Sequence, residues 1–167
     1  MAEVAAGGPA RTFNGTLEAG MRAVAVLGAA FPAAFDIQRL TAYDYLLVNT
    51  GQLGGPDDLH PASIIHAPVS QVRRAVVQNA LHLMMTRDLV ERLVEPDGLR
   101  YRAGESASLF LGSLESAYAQ ALKSRAAWLV RHLAPYADAE FDALMRRFFD
   151  SWVVEFQAAE LSLGLDQ

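Results

Sequence analysis

Four potential metal ligands fall within ten consecutive positions of the sequence. They are Asp57, Asp58, His60 and His66, whose carboxylate oxygens and imidazole nitrogens commonly bind divalent metals in proteins. Structural zinc sites, however, normally show tight and regular ligand pairs, and no such pair is repeated here. The pattern favours a simpler interpretation, in which Asp57 caps a turn and His60 hydrogen-bonds to the backbone beside Pro61. We therefore predict no metal and no other cofactor.

The known sequence signatures of catalysis are absent. No serine lies in a G-x-S-x-G turn, and the chain has neither a G-x-x-x-x-G-K-[ST] phosphate loop nor a G-x-G-x-x-G motif. The chain has no cysteine, which excludes a thiolate nucleophile and a disulfide framework. His82 and His132 fall on amphipathic segments, where a hydrogen-bonded structural histidine is the common case. The sequence assigns no catalytic residue and predicts that the protein is not an enzyme.

Basic residues are concentrated between Ser70 and Gly104. This stretch has a net charge of +2, whereas the whole chain carries −5, so the remainder carries −7. The candidates for nucleic-acid binding in this stretch are Arg73, Arg74, Gln78, Arg100 and Arg102. Each phosphate contact normally requires its own cation, so a charge of +2 supports at most weak, non-specific contact with DNA.

The same stretch predicts a helix that is followed at once by a β-hairpin. The spacing of a buried helical face is shown by Val72, Val76, Ala80, Leu83 and Met84, with Arg74, Gln78 and His82 on the opposite side. After Asp88 the period changes to two, and Pro96-Asp97-Gly98 supplies the turn of a hairpin that runs from Leu89 to Ala103. This combination predicts a mainly α fold with a small β-hairpin, organised as a winged helix-turn-helix domain.

Two helices and a long connection precede the winged segment. The first helix should run from Leu17 to Phe31 with Thr16 as its N-cap, and its small residues favour a central position. Asp36 should cap a second helix, whose core-facing residues are Ile37, Leu40, Tyr43 and Leu47. The connection from Asn49 to Val69 is rich in Gly and Pro, and it should be ordered on the surface or against a partner.

Three further helices are expected after the hairpin. The first covers Glu105 to Leu114 and has Leu109, Phe110 and Leu114 on its apolar side. The second covers Glu115 to Leu133, and its apolar residues are Tyr118, Leu122, Ala126, Leu129 and Leu133. The third and last helix should be capped by Asp138. The last helix carries an apolar stripe of Phe141, Leu144, Met145, Phe148, Phe149, Trp152, Val153 and Phe156. The stripe closes the protein's own core or, alternatively, part of it meets a partner protein. The candidate protein-interface residues are Asp57, Asp58 and His60 in the connection, and Arg146, Arg147 and Asp150 on the polar side of the last helix.

These elements suggest a division of the chain into three parts. Residues 1–12 form a flexible N-terminal tail, residues 13–113 a winged-helix domain, and residues 114–161 a C-terminal helical extension that packs on it. The longest uncharged runs, such as Ala23 to Phe35, are much shorter than the roughly 20 residues of a membrane-spanning helix. We therefore expect a cytoplasmic protein without a membrane contact.

The chain resembles the second class of middle component of bacterial ABC-three-component systems. The resemblance covers roughly Phe13 to Phe156 and lies in Phe13-Asn14, Leu17 to Arg22, Asp36 to Leu40, Tyr43 to Leu47, Gly54-Gly55-Pro56, Leu59-His60-Pro61 and Leu93 to Ala103. It implies a winged-helix adaptor that acts beside a large ATPase related to structural-maintenance-of-chromosomes (SMC) proteins and a separate effector, in conflict with phage or plasmids. It supplies no catalytic or binding residues that could be transferred by position.

Two hypotheses from different classes follow. In the first, the protein is a non-enzymatic adaptor that links the SMC-like ABC ATPase to the effector through protein contacts. In the second, it is a DNA-binding winged-helix transcriptional regulator that places Arg74, Gln78 and His82 in the major groove and lays Arg100 and Arg102 along the phosphates. The acidic balance of the chain agrees with the adaptor.

Overall fold

The computed structural model describes residues 15–60 and 71–147, which are mostly helical with one small antiparallel sheet. The elements are α1 (Thr16–Ala30), α2 (Ile37–Val48), a 3-10 turn (Thr50–Leu53), α3 (Gln71–Met85), β1 (Val90–Glu95), β2 (Gly98–Ala103), α4 (Ala107–Ser113), α5 (Ala117–Leu133) and α6 over residues 138–147. This confirms the predicted mainly α composition with a small hairpin. Among the described residues, no helix combines the length and the apolar character that crossing a bilayer requires.

The first two helices begin in different ways. Asp36 caps α2 as predicted, because its side chain accepts a hydrogen bond of 2.8 Å from the backbone N–H of Arg39. The predicted cap of α1 was wrong: Thr16 is already helical, and the N-cap is Gly15, which makes no side-chain cap. Glu18 lies in the first turn instead, where its negative charge favours the free N–H groups of the helix end.

Helix α1 occupies the centre of the fold, as its small residues predicted. It packs against α2, α3, α4 and α5, and Val24 and Leu27 are completely buried. A Cβ atom at Gly20 would lie 2.3 Å from the Cε of Met84, and one at Gly28 would lie 2.5 Å from the Cδ1 of Leu111. The two glycines therefore allow α3 and α4 to approach closer than any larger residue would permit.

The buried face of α3 differs from the predicted one. Ala80 and Met84 are buried as expected, but the other buried residues are Val77 and Leu81, and Val72 is 77% exposed. The helical period was therefore correct, whereas the face is rotated by about one residue, or roughly 100°. The position of α1 decides which flank is covered, and a local pattern does not contain that information.

The hairpin has the predicted position and turn. Its strands pair from Val90 with Ala103 to Glu95 with Gly98, so only Pro96 and Asp97 lie in the turn, and Gly98 adopts a φ of +138°. A one-residue bridge extends β2 on its other side. The N–H of Phe35 donates to the carbonyl of Tyr101 at 2.9 Å, and the N–H of Tyr101 donates back at 2.8 Å.

The helices after the hairpin match the sequence in part. Helix α5 buries four predicted residues, Leu122, Ala126, Leu129 and Leu133, in the same hydrophobic cluster as α1 and α2. The prediction for Leu109 was wrong, because this side chain is 83% exposed and Ala107 is the buried residue of α4. Tyr118 is likewise 40% exposed.

Helix α6 contributes the first part of the predicted aromatic stripe to the core. Phe141 and Met145 are buried, and Leu144 is half-buried against the core. The ring of Phe141 packs edge-on against Tyr43 with a centroid distance of 5.4 Å. Phe148, Phe149, Trp152, Val153 and Phe156 lie outside the described residues, so the interpretation of the whole stripe stays a prediction.

The buried side chain of Arg39 joins α2 to the C-terminal helices. Its guanidinium donates to the carbonyl oxygens of Leu133 and Tyr136, at 3.3 and 3.1 Å, and lies over the rings of three aromatic residues. It also forms an ion pair of 3.1 Å with Asp138. The Arg39 cluster denotes Arg39 together with these acceptors and with the rings of Phe35, Tyr43 and Phe141.

The role predicted for Asp138 was wrong. Its side chain does not cap α6, because its carboxylate binds Arg39 with one oxygen and Arg100, 3.0 Å away, with the other. The backbone N–H of Ala137 donates instead to the carboxylate of Glu140 at 3.3 Å. Asp138 thereby connects α6 to α2 and to the hairpin. An aspartate at the start of a helix has the sequence pattern of an N-cap, and the sequence alone does not distinguish the two roles.

We predict that Arg39→Leu costs roughly 3 kcal/mol of unfolding free energy, because it removes the hydrogen bonds from Arg39 to the carbonyl oxygens of Leu133 and Tyr136 and the buried charge facing Asp138. Urea unfolding of the purified variant measures this cost. Arg100→Leu is the control, since it removes the more exposed partner of Asp138 and should cost less than about 1 kcal/mol. Equal costs for the two variants would contradict the central role of Arg39.

Acid should weaken the contact of Asp138. The hydrogen bond from Arg100, followed by that from Arg39, lowers the pKa of Asp138 below its ordinary value of 3.8. A carboxyl with a lowered folded-state pKa stabilises the fold above its unfolded pKa, and this stabilisation is lost as the pH falls through the folded value. The free energy of unfolding of Asp138→Asn should therefore be lower than that of the unsubstituted protein at pH 6, and this difference should be smaller at pH 3. Urea unfolding of both proteins at the two pH values measures it.

Candidate functional site

Three of the five predicted nucleic-acid-binding residues are held by carboxylates of the protein. Arg73 binds Asp44 at 2.6 Å, and Arg102 binds Glu91 across the hairpin at 2.8 Å. Arg100 binds both Asp97 in the turn and Asp138 in α6. The hydrogen bond with Asp138 raises the pKa of Arg100, as the hydrogen bond with Glu91 raises that of Arg102. These charges are therefore already compensated within the fold.

The other two residues, Arg74 and Gln78, line a groove between α2, α3 and the hairpin. The groove has a volume of about 380 Å³, within the range of roughly 300 to 1,000 Å³ that is typical of ligand sites. Its lining comprises Asp36, Ile37 and Gln38 at the start of α2, Arg74 and Gln78 on α3, and Asp97, Gly98, Leu99 and Tyr101 on the hairpin. The structure thus brings Arg74 and Gln78 to one site and leaves the other three outside it.

The groove combines apolar residues with opposed charges. Ile37, Leu99 and Tyr101 provide apolar surface, while Asp36 and Asp97 provide two carboxylates against the single cation of Arg74. Among the described residues, no carboxylate forms an ion pair with Arg74. The side chains of the lining have a formal charge of −1, and Asp97 is also bound by Arg100, which lies outside the lining. The groove therefore offers no excess of positive charge to a phosphate.

A second polar arrangement is buried beside α1. Arg22 donates to one oxygen of Asp44 at 2.7 Å, and Arg73 donates to the other at 2.6 Å. The guanidinium of Arg73 also lies 5.3 Å from the ring centroid of Tyr45. We call Arg22, Asp44 and Arg73 the Asp44 cluster. It joins α1, α2 and α3, and it explains why Arg73 is not available for a ligand.

Sequence reasoning missed Arg22 and Asp44. The signal was present, because Arg22 is the one basic residue of the apolar helix α1 and Asp44 lies between two tyrosines. A charge at a position whose neighbours are all buried must itself find a partner in the interior. The identity of that partner was not evident, since 22 residues separate Arg22 from Asp44.

The predicted contacts of the connection are corrected by the structure. Asp58, and not Asp57, caps the turn, because its carboxylate accepts the N–H of Gly51 at 2.9 Å. The backbone carbonyl of Asp57 accepts two hydrogen bonds from Arg125. His60 shares a hydrogen bond of 2.9 Å with the hydroxyl of Tyr118 in α5. Its predicted backbone contact beside Pro61 lies outside the described residues.

The structure describes most of the predicted interface residues. Arg146 and Arg147 are exposed at the end of α6, Asp57 and His60 contact side chains of α5, and Asp58 binds the N–H of Gly51. Asp150 and His66 lie outside the described residues. Within the described ranges, no three His, Asp or Glu residues are placed to hold a metal ion.

A family model matches most of the chain. The model is described as ABC-three component (ABC-3C) system Middle Component 2, and it aligns with residues 12–155. That span contains the groove, the Arg39 cluster and the Asp44 cluster. No curated protein and no solved structure matches the chain.

The partial burial of His60 should make the stability of the fold depend on pH. Burial, and then the positive charge of Arg22, lower the pKa of His60 below its ordinary value of 6.5. The unfolded chain therefore binds more protons just below pH 6.5, so stability should fall as the pH falls through that range. The free energy of unfolding should therefore change less with pH in the His60→Gln variant than in the unsubstituted protein. Urea unfolding at several values between about pH 7.5 and pH 5, a range that includes the ordinary pKa of histidine, measures this difference. The same pH dependence in both proteins would contradict a lowered pKa of His60.

Proposed function

We propose an adaptor role from one established premise: the chain belongs to the family of the ABC-three component (ABC-3C) system Middle Component 2. In this proposal the protein links an SMC-like ABC ATPase to an effector in a bacterial defence system against phage or plasmids. It binds its partners in the cytoplasm and catalyses no reaction of its own.

The fold component of the proposal is a winged helix. The order of the elements supports it, because three helices, α1, α2 and α3, are followed by a two-stranded hairpin that corresponds to the wing. The second strand of this hairpin also forms a bridge with Phe35, in the segment between α1 and α2. We keep 13–113 as the winged-helix domain and 114–161 as its extension. Helix α5 shares the main hydrophobic cluster, so we propose that the extension is fixed to the domain.

The observation that carries the adaptor proposal is the internal compensation of the arginines. A protein that binds DNA gains its affinity by releasing counterions from phosphates, and this requires cations that face the solvent. Arg73, Arg100 and Arg102 are instead engaged by carboxylates, and the groove that contains Arg74 also contains the carboxylates of Asp36 and Asp97. The chain as a whole has a net charge of −5, which disfavours an approach to DNA and agrees with protein contacts.

The contacts with partner proteins are proposed at two places. The first contains Asp57, Asp58 and His60 beside α5, and the second contains Arg146 and Arg147 on α6 together with Asp150. Leu109 is an exposed apolar side chain on α4. Isolated residues of this kind are normal on a protein surface, so it is not included.

A DNA-binding regulator is the second candidate. The observation that favours it is the exposed row of Arg74, Gln78 and His82, which follows one side of α3. Side chains of this kind read base edges when such a helix lies in the major groove. In this candidate, the exposed side of α3 makes weak, non-specific contact with DNA. In the adaptor, the same surface would not need to contact DNA.

The isolated protein should bind DNA poorly. We expect a dissociation constant no tighter than the micromolar values of non-specific binding, roughly 10⁻⁴ to 10⁻⁶ M, with a small salt dependence of about 0.9 logarithmic units for each phosphate contact. Fluorescence anisotropy with a labelled duplex at several salt concentrations measures both quantities. Nanomolar, sequence-specific binding at physiological salt would favour the regulator.

The adaptor should co-purify with the other components of its own system. Co-expression of the full chain with the ABC ATPase and the effector is expected to give a complex that survives size-exclusion chromatography. The matched test compares the effector retained on the tagged ATPase with and without this chain. Equal retention in both cases would contradict a linking role.

A further inference from the structure

One edge of β2 is only partly used. All six residues of β2 lie opposite residues of β1. Because the turn contains only Pro96 and Asp97, the flanking pair of Glu95 and Gly98 is a hydrogen-bonded pair, and the backbone groups of Arg100 and Arg102 also point toward β1. The N–H and C=O of Tyr101 point the other way, toward Phe35. By the same alternation, the N–H and C=O of Leu99 also point away from β1, and among the described residues they accept or donate no backbone hydrogen bond on that side.

The chain vacates the place opposite Leu99 when it enters α2. In the register set by Phe35 and Tyr101, the residue opposite Leu99 would be Ile37. Ile37 is instead the first residue of a helix that Asp36 caps, so the ladder ends after a single bridge. The groove lies at this point, since both Ile37 and Leu99 line it.

The lining indicates what could occupy that place. An extended backbone would continue the ladder through Leu99, and alternate side chains of the added strand would meet the apolar surface of Ile37 and Tyr101. The side chain of Asp97 is 71% exposed, and its carboxylate binds Arg100 at 3.3 Å, whereas Asp138 holds Arg100 at the shorter distance of 3.0 Å. Because Arg100 is shared between two carboxylates, Asp97 can still attract a second cation. A basic residue in the added segment would therefore be favoured over an acidic one.

We propose that the groove binds an extended segment of a partner protein, with apolar and basic residues in alternation, as an added strand on the edge of β2. This inference rests on the proposed adaptor function and names the surface that one of the partners would use. The other open edge, that of β1, is less suitable, because Glu91, Arg92 and Glu95 are charged and charged residues discourage strand addition.

Site-directed cross-linking can test the proposal because the chain has no cysteine. A benzophenone maleimide on Gln78→Cys would stand in the groove, and the same label on Asn79→Cys is the matched control, exposed on the same helix but outside the lining. In the complex with the ABC ATPase and the effector, Gln78→Cys should cross-link to a basic, extended segment of one partner, with several-fold less product from Asn79→Cys.

Amide hydrogen exchange tests the added strand itself. In the complex, exchange at the Leu99 amide should slow by at least about tenfold, as a new backbone hydrogen bond protects it. The Val94 amide, which faces the open edge of β1, should not change. Asp97→Lys should weaken the complex by roughly threefold to tenfold, whereas Glu95→Lys, in β1 and outside the lining, should not.

The outcomes separate this inference from the adaptor proposal. If the complex forms but Gln78→Cys gives no partner product and Leu99 stays unprotected, the groove assignment is overturned and the adaptor role stands. Cross-linking to DNA, or to another part of the same chain, also overturns it. If the unsubstituted protein forms no complex with either component, the adaptor role fails and the inference fails with it.

Discussion

The packing of this protein depends on the enclosure of one buried cation, Arg39. A guanidinium in the interior needs hydrogen-bond acceptors and a compensating charge, and here they come from the end of α5, the segment that follows it and the start of α6. The aromatic rings around it fill the remaining directions. Because these groups all have to contact the Arg39 side chain, they fix how α5 and α6 pack against α2. Apolar contacts alone are less directional and would allow more than one packing arrangement.

A second ionic contact fixes the other half of α2. Asp44 lies near the end of the helix and holds Arg22 of α1 and Arg73 of α3 with its two oxygens. Asp138 extends the first cluster to the hairpin through Arg100. Three of the six arginines in the basic stretch, Arg73, Arg100 and Arg102, are therefore held by carboxylates. A count of the charges in this stretch overstates what a ligand could meet.

Local signals predicted the parts of the fold that local interactions decide. The turn at Pro96 and Asp97 and the cap at Asp36 were found because the necessary backbone conformation and hydrogen bond lie within a few residues. The face of α3 and the role of Asp138 were missed because distant elements decide them: Arg39 and Asp138 are 99 residues apart. Of the candidate site, the sequence identified Arg74 and Gln78, whereas the groove arises only when α2 and the hairpin meet.

Asp36 connects the fold to the proposed binding surface. The hydrogen bond that starts α2 at this residue also turns the chain out of the sheet directly after Phe35, so the ladder on β2 ends at Tyr101. An edge left open in this way normally promotes aggregation unless it is short or covered. Here the exposed edge is short and lies within a groove, with a carboxylate on either side at Asp36 and Asp97. These features limit pairing with unselected strands and leave a place for a segment of complementary charge, which is the selectivity an adaptor requires.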